Sequence, residues 1–212
     1  MLKTQLEPPL VMKSIFLIVS YFVGAIPFGL LISKAAGVDV RREGSCNIGA
    51  TNVSRILGKR LGLVTLVCDV AKGYLPMLAA DLSLPPGEGK QVIISLCGFM
   101  AVVGHMFPCY LRFKGGKGVA TGLGVFLFLS PPAIVTSLVI FIVAVASTGF
   151  VSVGSLLASA LAPVWIWFFN GNQSMVLVAA AIAVLIWIKH RENIVRLLKG
   201  EEKSWKKNKL KE

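Results

Sequence analysis

The chain has 212 residues, a net charge of +12 and a mean hydropathy of +0.76, with 55% hydrophobic and only 15% charged residues. So few charged residues cannot cover a water-soluble globule of this size, which excludes an ordinary soluble domain. Nucleic-acid binding is not indicated either. The cations crowd into the gaps between apolar runs, as in membrane proteins, instead of alternating with aromatic residues on one face.

Three long stretches carry no Asp, Glu, Lys or Arg: residues 14–33, 91–111 and 118–188. A helix crosses the hydrocarbon core of a bilayer with about 20 apolar residues, so several crossings are expected. The first stretch is too long for the apolar region of a signal peptide and lacks a small-residue cleavage site. We therefore expect a retained helix with no domain before it.

Turn-forming Gly, Pro and Asn residues divide the chain into seven apolar segments. Their approximate limits are 14–34, 53–81, 91–112, 119–130, 133–147, 150–169 and 174–190. The fourth segment is short, since its residues rise only about 18 Å as a helix. A single kinked helix over 119–147 would instead leave six spans.

The distribution of cations distinguishes the two arrangements, because Lys and Arg accumulate on the cytoplasmic side of short loops. Seven spans place 17 cations on one face and three on the other, whereas six spans give 8 and 12. We therefore predict an all-α, polytopic integral membrane bundle of seven transmembrane helices. The amino terminus is expected outside and the carboxyl terminus in the cytoplasm.

This topology implies one transmembrane domain over residues 1–200 and a basic cytoplasmic tail over 201–212. The tail is expected to be solvated and to be attracted to anionic lipid headgroups. Three polar stretches, 41–55, 112–118 and 189–199, then reach the same membrane face. A single shared site at that face becomes possible.

The first polar stretch contains GSCNIGATNVSR at residues 44–55. Its glycines permit backbone N–H groups to point at an anion, and Thr51 or Asn52 is placed to cap the helix that follows. An ordinary interfacial turn with a helix cap fits the same residues equally well.

The second polar stretch contains KGGKG at residues 114–118, directly before an apolar helix. It resembles a phosphate cradle but lacks the G-x-x-x-x-G-K-[ST] pattern of a P-loop. A positively charged anchor on a flexible turn is the alternative. Topology alone requires lysine but gains nothing from the glycines, which favours the anion site.

The third polar stretch is KHRENIVR at residues 189–196. If the last helix continues past the membrane, His190 and Asn193 share one of its faces. The alternative is a polar helix end that complements the helix dipole. Glu192 is expected to pair with Arg196, four residues later.

Two charged residues, Asp69 and Lys72, fall inside a predicted span. A charge facing lipid costs about 2.5–3.5 kcal/mol on insertion scales, so both are expected to face protein and pair with each other. His105 is expected to be a packing or turn residue. The four cysteines have no C-x-x-C spacing, so we expect free thiols rather than disulfides or a zinc site.

Three motifs in this order, GSCNIGATN, HMFPCYLRFKGGKGVATG and KHRENIVRLLKG, resemble those of the bacterial acyl-phosphate:glycerol-3-phosphate acyltransferases. The resemblance runs from Ser14 to Gly200. It implies transfer of a fatty acyl chain from acyl phosphate to the 1-hydroxyl of glycerol 3-phosphate at the cytoplasmic face of the bacterial inner membrane. It also implies that no cofactor, metal or coenzyme A takes part, and that the partners are these two substrates and the bilayer, with no nucleic acid.

The resemblance assigns site residues in all three stretches. The predicted catalytic residues are His190, Asn193 and Ser45. The predicted substrate-binding residues are Asn47, Thr51, Asn52, Arg55, Lys114, Gly115, Gly116 and Lys117. The cations, the Ser45 hydroxyl and the Gly115–Gly116 backbone are expected to bind phosphate, while His190 and Asn193 orient or polarise glycerol 3-phosphate. The family pattern G-S-G-N is broken by Cys46, which adds bulk and removes the freedom of glycine.

The His-x-x-x-x-Asp dyad of thioester-dependent acyltransferases is absent, because Tyr110 and Val195 stand at that spacing after the two histidines. We therefore expect the departing phosphate, with a second pKa of about 6, to accept the hydroxyl proton. A membrane carrier for an organic phosphate is the alternative function, although carriers place their sites near midplane, often with inverted repeats. A membrane scaffold would leave the glycine-rich loops unexplained.

Overall fold

The structure, a computed structural model, describes residues 10–87 and 89–205. These residues form ten α-helices and no strand, which confirms the all-α class. The helices are α1 Leu10–Ala25, α2 Phe28–Ala35, α3 Ala50–Leu57, α4 Lys59–Ser83, α5 Lys90–Met106, α6 Val119–Leu129, α7 Pro131–Thr148, α8 Val151–Asn170, α9 Gln173–Lys189 and α10 Arg191–Leu198. A single turn of 3₁₀ helix lies at Cys109–Leu111.

Each of the seven predicted apolar segments contains a helix. Within the described residues, five stretches are long and apolar enough to cross a bilayer: Leu10–Ala35, Lys59–Ser83, Lys90–Leu111, Pro131–Thr148 and Val151–Asn170. Helices α9 and α10 form a sixth if the bent pair counts as one span. Helix α6 has only 11 residues. The structure therefore supports a polytopic membrane protein, and the seventh span stays a prediction.

The chain divides into two compact units, one ending at Phe128 and the other beginning at Leu129. The predicted single domain over 1–200 stays a prediction. The predicted tail boundary at residue 201 also stays a prediction; within 201–205 the Ser204 hydroxyl and the Trp205 N–H donate to the Gly149 carbonyl at 3.2 and 3.0 Å. The remainder of the predicted basic tail, 206–212, lies outside the described residues.

In unit 1 the first span is broken at Pro27, between α1 and α2. The break releases the Ile26 carbonyl, which would be costly to leave unsatisfied in a bilayer. Lys72 of α4 donates to this carbonyl at 2.8 Å and pairs with Asp69 at 2.8 Å. Both charged side chains are only 2% exposed. The predicted ion pair is confirmed, and its lysine also donates to the backbone at the break in the first span.

Glycines allow the helices of unit 1 to approach one another closely. A Cβ added at Gly24 of α1 would lie 2.1 Å from the Ala101 carbonyl oxygen of α5. One added at Gly73 of α4 would lie 2.2 Å from the Thr121 carbonyl oxygen of α6. Small residues at such crossings replace side-chain packing with direct backbone contact, as is common in membrane helices.

Unit 2 consists mainly of α7, α8 and α9, where α8 packs against both neighbours. The Trp187 indole N–H of α9 donates to the Leu156 carbonyl of α8 at 3.2 Å. The axis then bends by 56° between α9 and α10. His190 stands at this bend as the last cap of α9 and the first cap of α10. The condition under which His190 and Asn193 would share one face of a single continuous helix is therefore not met.

Candidate active site

Asn52 organises the first polar stretch. Its side chain is buried, and its Nδ2 donates to the carbonyls of Val40, Glu43 and Asn47 at 3.0, 3.1 and 2.9 Å. Its Oδ1 accepts the Ser45 N–H at 2.8 Å. The whole amide is thus used within the loop. Asn52 therefore fixes the shape of the loop, and its predicted contact with substrate stays a prediction.

Helix α3 begins at Ala50, with Gly49 as its amino-terminal cap and no side-chain capping bond. The prediction that Thr51 or Asn52 caps this helix is wrong, because the helix starts before both residues. Asn47 instead accepts the Gly49 N–H at 2.9 Å and forms a tight turn. Thr51 is exposed on the first turn of α3.

Cys46 has a φ of +55°, in the left-handed region that favours glycine. Cys46 therefore occupies a backbone conformation that is more costly for cysteine than for the glycine of the family pattern. The side chain is exposed, so its added bulk is accommodated at the surface of the loop. The departure from G-S-G-N costs backbone strain rather than packing.

The Gly115 and Gly116 amides do not point outward as a phosphate cradle. Gly115 N–H donates to the Met106 carbonyl at 3.2 Å, and Gly116 N–H donates to the His105 carbonyl at 3.1 Å. Both N–H groups have acceptors at the carboxyl end of α5 in this structure, and their predicted binding of phosphate stays a prediction. The cations of the loop differ in exposure: Lys114 is exposed and Lys117 is half-buried.

Two consecutive residues before this loop, Arg112 and Phe113, have φ values of +51° and +62°. Two non-glycine residues in the left-handed region make a sharp turn, which costs free energy that the rest of the fold must offset. The turn directs the chain from the 3₁₀ segment back over the end of α5. Residues 114–118 are thus held against α5 rather than being a flexible connection.

His190 is 3% exposed, and its Nδ1 donates to the Ile186 carbonyl at 2.8 Å. Because a carbonyl only accepts, this bond places the proton on Nδ1, and the neutral ring keeps its lone pair on Nε2. Asn193 is also buried, at 5% exposure. The α9–α10 bend thus holds both predicted catalytic side chains in fixed positions.

The sequence reasoning missed Glu202, which organises the third polar stretch. Its carboxylate accepts hydrogen bonds from Asn193 Nδ2 at 2.6 Å, Ser152 Oγ at 2.9 Å and Arg196 Nε at 2.8 Å. Glu192, the predicted partner of Arg196, lies 4.0 Å away, so Glu202 is the closer partner. An acidic residue just after a cationic helix end was the available signal in the sequence.

Burial is the largest influence on the Glu202 carboxyl and opposes its ionisation. The hydrogen bonds from Asn193, Arg196 and Ser152 outweigh it and hold the pKa of Glu202 below its ordinary value of 4.5. A carboxyl whose pKa is lowered by folding stabilises the folded state above its unfolded pKa. That stabilisation is lost as the pH falls through the lower, folded-state pKa.

We expect Glu202→Gln to lower the thermal unfolding midpoint at pH 6–8 by a constant amount, because the carboxylate is fully ionised there. The difference from wild type should shrink as the pH falls below about 4.5. Thermal unfolding in detergent across this pH range measures it. Glu201→Gln, at the exposed neighbouring position, is the control and should show no such loss. A Glu202→Gln difference that persists unchanged at low pH would contradict the assignment.

Comparison with known proteins decides the family. Residues 14–200 match the glycerol-3-phosphate acyltransferase family. The chain belongs to this family. It is 63% identical over 196 residues to the glycerol-3-phosphate acyltransferase of Desulfotalea psychrophila, covering 92% of this chain and all of that one. It is 43% identical over 194 residues to the corresponding protein of Geotalea daltonii, covering 91% and 97%.

Solved structures give the same result. The chain is similar to PlsY (YgiH), an integral membrane glycerol 3-phosphate acyltransferase, in its glycerol 3-phosphate form, with a TM-score of 0.86, 37% identity and coverage of 92% and 96%. The lysophosphatidic acid form gives a TM-score of 0.84 at 37% identity, covering 91% and 95%. The predicted family and enzyme class are confirmed: this chain is an integral membrane acyltransferase.

Proposed function

We propose that this enzyme transfers a fatty acyl group from acyl phosphate to the 1-hydroxyl of glycerol 3-phosphate, giving lysophosphatidic acid and phosphate. The acceptor and the product are supported by the similarity of this chain to an acyltransferase solved in a glycerol 3-phosphate form and a lysophosphatidic acid form. The similarity covers 92% and 91% of the chain, respectively. The resemblance of the three motifs supports acyl phosphate as the donor. No cofactor is part of the proposal.

Both substrates carry phosphate, so the site must offset the repulsion between two anions. We assign Arg55, Lys114 and Lys117, with the Ser45 hydroxyl, to charge-assisted hydrogen bonds with these phosphates. Asn47 and Thr51 of the first polar stretch are assigned to bind the acceptor substrate. Asn52 fixes the shape of the loop that carries Asn47. Gly115 and Gly116 contribute by lacking side chains, which lets the loop that carries Lys114 and Lys117 pack directly on the end of α5.

The acceptor hydroxyl oxygen attacks the acyl carbonyl carbon and forms the ester bond. The bond between this carbon and the phosphate oxygen breaks, and the hydroxyl proton leaves with the departing phosphate. Phosphate is basic enough for this at neutral pH, since its second pKa is about 6. The protein contributes positioning and charge stabilisation.

In this mechanism His190 and Asn193 orient the acceptor. The Nε2 lone pair of His190 accepts a hydrogen bond from a glycerol hydroxyl. The Nδ1–H of His190 donates to the Ile186 carbonyl and fixes the ring. A carbonyl stabilises an imidazolium less than a carboxylate does, which favours orientation over full proton removal. The Asn193 amide nitrogen donates to Glu202 at 2.6 Å, which fixes the side chain in the orientation that we assign to substrate positioning.

His190→Gln is expected to lower kcat by less than about 100-fold, because glutamine can still accept a hydrogen bond while general-base catalysis contributes about 10²- to 10⁴-fold. Steady-state kinetics on purified protein measure kcat and the KM for glycerol 3-phosphate. A loss of several thousandfold in kcat with unchanged KM would instead identify His190 as the base.

We place the enzyme in the bacterial cytoplasmic membrane with seven spans, the amino terminus outside and the active site facing the cytoplasm. The distribution of cations along the sequence supports this orientation, since 17 fall on one face and three on the other in the seven-span arrangement. The three polar stretches then reach the same leaflet, where acyl phosphate presents its headgroup and glycerol 3-phosphate is available.

The deciding experiment supplies purified protein with synthetic acyl phosphate and glycerol 3-phosphate and follows inorganic phosphate and lysophosphatidic acid. We expect both products in equal amounts, and none when acyl-coenzyme A replaces the donor. Phosphate release that is equally fast without glycerol 3-phosphate would indicate a hydrolase. Lysophosphatidic acid formed from acyl-coenzyme A alone would overturn the proposed donor.

A further inference from the structure

His105 lies directly beneath the loop of residues 114–118. Its side chain is buried, and a Cβ added at Gly116 would lie 2.1 Å from its Nε2 and 2.7 Å from its Cε1. Neither Gly115 nor Gly116 has a φ in the left-handed region. Glycine is therefore required at Gly116 by contact with the imidazole and not by backbone conformation.

On the side away from the loop, the imidazole lies next to the buried ion pair. His105 Nδ1 lies 3.7 Å from Asp69 Oδ1, and Asp69 pairs with Lys72 at 2.8 Å. Lys72 in turn donates to the Ile26 carbonyl at the break in the first span. A continuous buried series of contacts therefore runs from this break, through the ion pair, to the underside of the loop.

The loop has little freedom to move away from this support. Its two glycine amides are bonded to the carbonyls of His105 and Met106. Beyond the loop, the start of α6 is fixed by contact between Gly73 and the Thr121 carbonyl oxygen. The position of the imidazole thus sets the height of the loop above the end of α5.

We propose that His105 is a positioning residue that sets, through its contact with Gly116, where Lys114 and Lys117 meet the substrate phosphate. The inference rests on the proposed function only for the identity of that phosphate ligand. The contact with Gly116 is a matter of packing and would exist for any ligand. His105 takes no part in proton transfer in this assignment.

A double-mutant cycle tests the contact. Gly116→Ala should raise the KM for glycerol 3-phosphate by about tenfold or more, because its methyl group collides with the imidazole and displaces the loop. Adding His105→Ser removes the colliding ring. The KM of the double variant should therefore be at least about threefold lower than the product of the His105→Ser and Gly116→Ala effects, a coupling within the range found for residues in contact.

Gly115→Ala is the matched control. A Cβ there would meet the His105 carbonyl oxygen at 2.2 Å and Pro108 Cδ at 2.4 Å, neither of which is part of the imidazole. His105→Ser should therefore give no relief to Gly115→Ala. Equal relief of both glycine variants, or relief of neither, would overturn the proposal.

Tryptic cleavage after Lys114 and Lys117, normalised to the denatured chain, repeats the cycle without using activity. Gly116→Ala should accelerate cleavage of the folded protein in detergent, and the added His105→Ser should slow it again. If this coupling is present while wild-type protein makes no lysophosphatidic acid, the proposed function fails and the positioning role stands. If the cleavage shows no coupling, the positioning role fails whatever the activity.

Discussion

Lys72→Met is expected to destabilise the protein by about 3–5 kcal/mol, because it leaves the Asp69 carboxylate buried without its partner. It also removes one of the two donors to the Ile26 carbonyl at the break in the first span, the other being the Phe28 N–H. The thermal unfolding midpoint in detergent and the amount of folded protein in the membrane should both fall sharply.

The double variant Asp69→Leu/Lys72→Met separates the two effects. It removes the unpaired charge, and the Ile26 carbonyl keeps the Phe28 N–H as a donor at 3.1 Å, so we expect it to recover most of the lost stability. The exposed ion pair between Arg41 and Asp39, at 2.6 Å, provides the control. Asp39→Ala should change stability far less, since exposed pairs contribute little. A double variant as unstable as Lys72→Met would contradict the proposed cost of the lone carboxylate.

Lys114→Met should lower kcat/KM for glycerol 3-phosphate by about 10- to 150-fold, the equivalent of losing one hydrogen bond to a charged group. The side chain is exposed, so stability should not change measurably. Steady-state kinetics with acyl phosphate as donor measure the loss.

Lys59→Met is the matched control for this change. Lys59 is an exposed cation at the start of α4 and has no place in the proposed site. It removes the same charge and should alter kcat/KM by less than about twofold, since the field of an exposed charge that does not contact the substrate is screened by salt. Equal losses in the two variants would mean that Lys114 acts through the combined field of the surrounding cations rather than by contact.

Features that depend on the membrane solvent could be predicted from the sequence. Uncharged runs indicated helices, and the cost of lone charges in lipid predicted that Asp69 and Lys72 would pair, as they do. The break at Pro27 also had a sequence signal, since proline inside an apolar run removes a helical hydrogen bond. At Asp69, Lys72 and Pro27 the residue type alone therefore restricts which local structures are stable in a membrane.

Features of the site that depend on contacts between separated residues could not be predicted. Nothing in the local pattern connects Asn193 with Glu202 across the end of α10, or places His105 beneath Gly116. The glycine-rich sequence 114–118 suggested amides pointing at an anion. The same glycines prove to permit close packing of backbone on an imidazole, and periodicity cannot distinguish these two uses.

The hydrogen bonds from Ser204 and Trp205 to Gly149 have a practical consequence for protein production. Trimming the carboxyl end before residue 205, or fusing an affinity tag within this segment, would disturb the backbone that presents the Glu202 carboxylate to Asn193. An expression vector should therefore keep the chain intact through Trp205 and place any fusion partner after it, even though the segment follows the last helix.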